Sequence, residues 1–154
     1  IAAGMALGLK LDAGEDAPKQ VFALLGDGEI EEGQVWEAAM FAAHYQLGNL
    51  VAIVDNNNLQ IDGTTDEVMP LGNLVEKFNA FGFETYEIDG NDMEQILRTF
   101  DTIRPLQNGK PKCIIGHTIK GKGVSFMENV CDWHGVAPNK EQYERALKEF
   151  EEDN

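Results

Sequence analysis

Cysteine is scarce: Cys113 and Cys131 are the two thiols in 154 residues, and neither has a CxxC partner. A disulfide framework or a zinc knuckle is therefore not expected; two reduced thiols in a cytoplasmic protein are. The absence of any Asn-x-Ser/Thr sequon agrees with an intracellular home. No apolar run reaches the roughly 18 residues that a membrane span requires, because the best candidate is broken by His44, Gln46 and Asn49. Positive charge is also short. Twelve Lys and Arg stand against 27 Asp and Glu, a formal net charge of −15. That balance disfavours nucleic acid and anionic membranes, whose phosphates are neutralised by Lys and Arg. The start lacks an initiator Met and the basic region of a signal peptide. Ile1 to Leu11 is small and apolar and reads as the inside of a helix. A chain that opens in mid-pattern is expected to be a fragment, a processed product or an excised piece.

What is present suits one soluble domain over residues 1–154, about 43% hydrophobic and 25% charged. Short apolar runs at Gln20 to Leu25, Leu50 to Val54, Phe83 to Ile88 and Pro111 to Ile115 predict strands. Three of them are nearly continuous in apolar residues, as strands covered on both faces are. Helical patterns lie between and after them, at Glu31 to Leu47, Leu71 to Phe81, Asp92 to Ile103 and Lys140 to Glu151. The alternation predicts an α/β fold, a doubly wound parallel sheet with helices on both faces. Gly-Asn or Asn-Gly pairs at 48–49, 72–73 and 108–109 mark turns. The acidic cluster from Glu141 to Asp153 reads as solvated helix surface.

The helix over Glu31 to Leu47 is unusual. Val35, Trp36, Ala38, Ala39, Met40, Phe41, Ala42, Ala43, Tyr45 and Leu47 surround it almost completely, where an ordinary surface helix shows one apolar stripe. Burial on more than one side is expected, with a subunit interface favoured over an extra layer. Glu37 sits within that apolar run, and a buried carboxylate needs a partner or a raised pKa.

The strongest chemical signal is Gly26-Asp27-Gly28 followed by Asn56-Asn57-Asn58, each directly after a predicted buried strand. Parallel sheets gather ligands at the carboxyl ends of their strands, so both segments belong on one rim. Asp27 offers a hard carboxylate oxygen and Asn57 an amide oxygen. Magnesium takes few protein oxygens and fills its shell from water and phosphate. Flanking glycines let backbone approach a diphosphate, and the next helix N-terminus adds donors. Rival motifs fail on the residues. A dinucleotide fingerprint needs glycine at position 31, which is Glu31, and a phosphate loop needs Gly-Lys-Ser/Thr, which is absent. An EF-hand starting at Asp55 fails at Leu59 and Gln60. In so acidic a chain, any bound phosphate needs a metal, backbone N–H groups or a local cation. His44 and His117 show no zinc-ligand spacing and are assigned no chemistry.

Asn57 follows Asp27 by 30 positions. That spacing, the run Gly26-Asp-Gly-Glu-Ile-Glu-Glu-Gly-Gln-Val-Trp-Glu-Ala and the run Asp55-Asn-Asn-Asn-Leu-Gln-Ile-Asp-Gly63 resemble the transketolases, particularly the N-terminal subunit of split transketolases. The segment from Lys120-Gly-Lys-Gly123 to Trp133-His-Gly135 is similar to a loop of the same family. The resemblance covers essentially the whole chain and implies thiamine diphosphate and Mg2+ as cofactors. It implies Asp27, Asn57 and the Leu59 carbonyl as metal ligands, and Gly26, Gly28 and Lys120 near the diphosphate. Ile61 and Ile115 would pack against thiamine, or would equally be core. His134 would reach the diphosphate and the reacting carbonyl, a proton-moving role worth about 10²–10⁴-fold in enzymes generally. Glu32 and Glu37 would join a glutamate relay at a dimer interface, Glu32 lying beside the cofactor. On composition alone Glu32 is equally a helix N-terminal charge.

Deoxyxylulose phosphate synthase is the nearest rival resemblance, and Glu32-Gly33 with Trp133-His134-Gly135 favours transketolase over it. The Gly-rich segment and earlier histidines of transketolases are missing, so the chain looks N-terminally truncated. The pyrimidine-binding domain is missing too. The resemblance therefore implies ketol transfer between sugar phosphates only with a separate pyrimidine-domain subunit, in a homo- or hetero-oligomer, and no turnover by this chain alone. A noncatalytic holding or docking module is the alternative.

Overall fold

Four parallel strands form the frame: β1 (Val21–Gly26), β2 (Leu50–Asn56), β5 (Glu84–Asp89) and β6 (Lys112–His117), ordered β1-β2-β6-β5. They belong to a computed structural model that describes residues 1–13, 19–104 and 108–152. Asp153, the last residue of the acidic cluster, lies outside the described residues. Between β2 and β5 a two-stranded antiparallel hairpin pairs β3 (Leu59–Gln60) with β4 (Gly63–Thr64). The helices are α1 (Ala2–Asp12), α2 (Gly33–His44), α3 (Thr65–Val68), α4 (Leu74–Ala80), α5 (Met93–Ile103) and α6 (Lys140–Glu152).

Strand alternation sorts the core into two layers. Leu50, Ala52 and Val54 of β2 join Val21, Cys113 and Ile115 beneath α1, α2 and α4, where Ala6, Ala39, Ala42, Leu74 and Phe78 are buried. Val51 and Ile114 face the other way and meet Ile103 and Phe100 of α5. The predicted double winding is present, with unequal cover on its two sides. Phe22 and Leu24 of edge strand β1 are 51% and 71% exposed, although Phe22 meets Phe100 edge to face at 5.8 Å. Asn73 caps α4 by accepting from the Glu76 N–H at 3.0 Å, and Asp92 caps α5 by accepting from the Glu94 N–H at 2.9 Å.

Helix α2 has no second covering layer among the described residues of this chain. One side of it is buried, at Ala39 and Ala42, while Met40 is 56% and Tyr45 44% exposed. Glu37, Ala38 and His44 are exposed with them. Each residue turns about 100° around the helix, so the run of small and aromatic side chains spreads over two sides, and this chain supplies a cover for one. Lys10 donates to the Tyr45 and Gln46 carbonyls at 2.9 Å each, closing the helix C-terminus from α1.

Register carries the architecture to the site. Gly26 is level with Asp55, Asp55 with Gly116, and Asn56 with His117. The turns after β1, β2 and β6 therefore leave the sheet at one rim.

Candidate functional site

Asp27 is 2% exposed at the tip of β1. One carboxylate oxygen, Oδ1, accepts from the Gly28 N–H at 2.8 Å. The other, Oδ2, accepts from the Asn58 N–H at 2.5 Å, so the two loops are joined directly. The Asp27 N–H also donates to the Asp55 carbonyl at 3.2 Å. Asn57 is 9% exposed and turns its loop by accepting from the Leu59 N–H through Oδ1 at 3.1 Å. Asn58 takes φ 62°, a left-handed conformation that Asn tolerates, and this reverses the chain into β3.

A cleft of about 490 Å3 opens over these loops. Of the residues singled out in the sequence, Gly26, Asp27, Gly28, Asn57, Leu59, Ile61, Lys120 and His134 line it. Glu29, Asp55, Gln60 and Asp62 line it too and had no assigned role. Ile61 is 74% exposed over the opening. Lys120 Nζ lies 3.3 Å from His134 Nδ1. With the ammonium donating, the ring hydrogen resides on Nε2.

Three residues fall outside the cleft lining. Ile115 is 1% exposed in the core and lines a neighbouring hollow with Asn56 and His117. Glu32 sits at the N-cap of α2 and Glu37 one turn further on, both exposed. Within this chain Glu37 faces outward, because Trp36 and Ala39 turn inward and Glu37 does not.

The loop carrying Lys120 and His134 is shaped by glycine and fastened to α6. Gly121 has φ 75°, and a Cβ there would lie 2.6 Å from the Met127 carbonyl oxygen. Ser125 donates to Glu149 from its N–H at 2.6 Å and its hydroxyl at 2.9 Å. Arg145 lies 4.6 Å from the Phe126 ring centre, and Phe126 packs on Trp133 at 5.7 Å. His134 closes a 3-10 turn, Cys131–His134, in this segment.

Electrostatically the cleft is acidic. Asp27, Glu29, Asp55 and Asp62 face it, against Lys120 as the single Lys or Arg of the lining. Burial raises the Asp27 pKa above its ordinary 3.8, the Asn58 and Gly28 N–H groups oppose that rise, and the Asp55 charge adds to it. Burial and a second acid both disfavour the charged form of Asp27, and a hard cation beside it would favour that form. Among the described residues no group of three His, Cys, Asp or Glu side chains is placed to hold a metal. The oxygens available here are a carboxylate, an amide and a carbonyl, a set that fits magnesium and does not suit zinc. The signal that could have found Asp55 was its place at the head of the Asn triplet; Gln60 and Glu29 carried none.

Comparison with known proteins agrees with this geometry. The family profile described as "Transketolase, thiamine diphosphate binding domain" matches residues 10–152. One of the apulose-4-phosphate transketolase subunits of Phocaeicola vulgatus is 47% identical over 152 residues, 99% of this chain and 53% of that protein. The 6-deoxy-6-sulfo-D-fructose transketolase subunit SqwG of a Clostridium species is 41% identical over 152 residues, 99% of this chain and 54% of that protein. The chain thus spans about half the length of these curated relatives. The crystal structure of transketolase from Campylobacter jejuni superposes with a TM-score of 0.88 at 30% identity, over 96% of this chain and 23% of that one. With a profile covering nearly its whole length, the chain belongs to the thiamine-diphosphate-binding domain family of the transketolases.

Proposed function

We propose that this chain is part of the diphosphate-binding component of a transketolase, working with a separate pyrimidine-domain subunit to move a two-carbon ketol unit between sugar phosphates. The observation that carries the reading is the joining of the Asp27 and Asn57 loops at one rim, beneath Lys120 and His134. Asp27, Asn57 and the Leu59 carbonyl would hold Mg2+, whose remaining positions go to water and diphosphate oxygens. The metal answers the charge problem of the cleft, since four carboxylates repel a diphosphate that Lys120 alone does not balance. Thiamine diphosphate, when bound here, would supply the nucleophilic carbon that ketol transfer requires.

The chain's own residues bind and orient. Gly26 and Gly28 keep the turn narrow for the diphosphate, and Ile61 offers the thiamine ring an apolar contact. Lys120 brings positive charge and holds His134 with its Nε2 hydrogen available, which suits donation to a phosphate or to the reacting carbonyl region. Glu32 and Glu37 stand on the open side of α2 beside exposed Met40 and Tyr45. The subunit interface belongs there, and the two carboxylates act as a relay only once a partner covers them.

A ketol-transfer assay with thiamine diphosphate, magnesium and sugar phosphates tests this. The chain alone is expected to give no turnover, and the mixture with a pyrimidine-domain subunit to give it. A mixture that binds but stays inert would favour the noncatalytic holding module.

A further inference from the structure

His117, the last residue of β6, and Thr118 just beyond it reach across to the metal-loop strand on opposite faces. His117 is level with Asn56, and Asn56 Nδ2 lies 3.1 Å from His117 Nδ1. The other ring nitrogen, Nε2, lies 2.7 Å from Glu87 Oε1 on β5. Three strands are thus linked at the rim by Asn56, His117 and Glu87. The next residue, Thr118, donates its hydroxyl to the Asp55 carboxylate, and its N–H donates to the Asn56 carbonyl at 3.2 Å. Successive residues point to opposite faces of a strand. Asp55 is therefore gripped on one face and Asn56 on the other, immediately before Asn57.

We infer that His117 and Thr118 are positioning residues that fix the metal loop, acting through Asn56 and Asp55 without touching the ion or the cofactor. Both nitrogens of the His117 ring are already engaged, so the neighbouring hollow of about 370 Å3 is not offered a free donor by this residue. Thr118 places the Asp55 carboxylate, which lines the cleft beside Asp27 and whose carbonyl accepts from the Asp27 N–H. Losing either grip frees the end of β2, from which Asn57 and Leu59 emerge. Groups that orient metal ligands in this way typically change metal affinity by about 10–100-fold.

The inference rests on the metal role proposed for Asp27, Asn57 and Leu59. Its test is Mn2+ affinity, read from the free-ion electron paramagnetic resonance signal of the full chain with excess thiamine diphosphate. Unfolding midpoints are measured without metal alongside. Thr118→Val keeps shape and loses the hydroxyl; it is expected to weaken Mn2+ by about tenfold or more at a similar midpoint. Thr118→Ser restores the hydroxyl and is expected to restore affinity, which a role in packing alone would not produce. His117→Phe, keeping a ring but no polar nitrogen, carries the same expectation and serves if Thr118→Val does not fold. Wild-type affinity in folded Thr118→Val and His117→Phe would overturn the inference and leave the metal reading intact. A folded wild type that takes up no Mn2+ would overturn both.

Discussion

Asp27 shows how a single residue joins fold to site. Its burial would be costly for a carboxylate without the Gly28 and Asn58 N–H groups, and those same bonds splice the two loops together. Asp27→Ala is expected to abolish magnesium-dependent retention of thiamine diphosphate, measured by isothermal titration, while circular dichroism shows the fold retained. Unchanged retention would remove Asp27 from the site. At the opposite rim, Glu84 accepts from Asn108 Nδ2 and the Tyr86 hydroxyl at 2.7 Å each. These bonds hold its pKa below the ordinary 4.5. A depressed carboxyl stabilises the fold above its unfolded pKa, and that contribution is lost as pH falls through the folded value. The stability advantage of wild type over Glu84→Gln should therefore be flat near neutrality and shrink below about pH 4.5, read by urea denaturation at each pH. Individual residues were unevenly legible. Asp27 and Asn57 stood out because they follow buried strands at a telling interval. The orientation of Glu37 was not legible, because sequence neighbours on a helix point in different directions and a near-uniform apolar run hides which one faces out.

Among the elements, the loop between β6 and α6 is the one most dependent on backbone shape. Gly121→Ala would place a methyl against the Met127 carbonyl at a left-handed φ, a strain of roughly 1–3 kcal/mol. The expected result is a lower denaturation midpoint together with faster hydrogen exchange in residues 120–130, where Lys120 and Glu149's partner Ser125 lie. Equal exchange rates in the variant would contradict it. The four main strands were readable from apolar runs, yet each ends one or two residues later than its run. Hydrogen bonding continues into Gly26, Asp55, Asn56, Gly116, His117 and Asp89, polar or small residues that give no hydropathy signal. The predicted helix at Glu31 began early because Glu29–Glu31 is a 3-10 turn. The β3–β4 hairpin and four-residue α3 are too short for any periodicity to announce them, and so Gln60 went unnoticed although its amide donates to Glu31 across the cleft wall at 2.9 Å.

At the scale of the whole molecule, the sheet is covered thoroughly on the α1–α2–α4 side and thinly on the α5 side. Phe22 and Leu24 leave an apolar patch on an edge strand whose outer hydrogen-bonding side is unpaired among the described residues, a combination that promotes association. Leu24→Lys is expected to increase the monomer fraction in sedimentation velocity at a fixed concentration without lowering the unfolding midpoint. An unchanged distribution would mean that association arises elsewhere, as on the open side of α2. Double winding was legible because buried parallel strands carry long apolar runs. The uneven cover was not, since exposure of Leu24 depends on what lies above the sheet rather than on the strand's own composition.

The ring of acids around the cleft has a kinetic corollary. A bare diphosphate approaching a protein of net charge −15 meets a field that turns it back, so encounter is fastest when the ion is already seated or travels with the ligand. Added inert salt should then quicken capture of the metal-free diphosphate, the reverse of the usual trend for oppositely charged pairs, because it shortens the reach of the repulsion. Stopped-flow fluorescence across ionic strengths would read the sign of that slope directly.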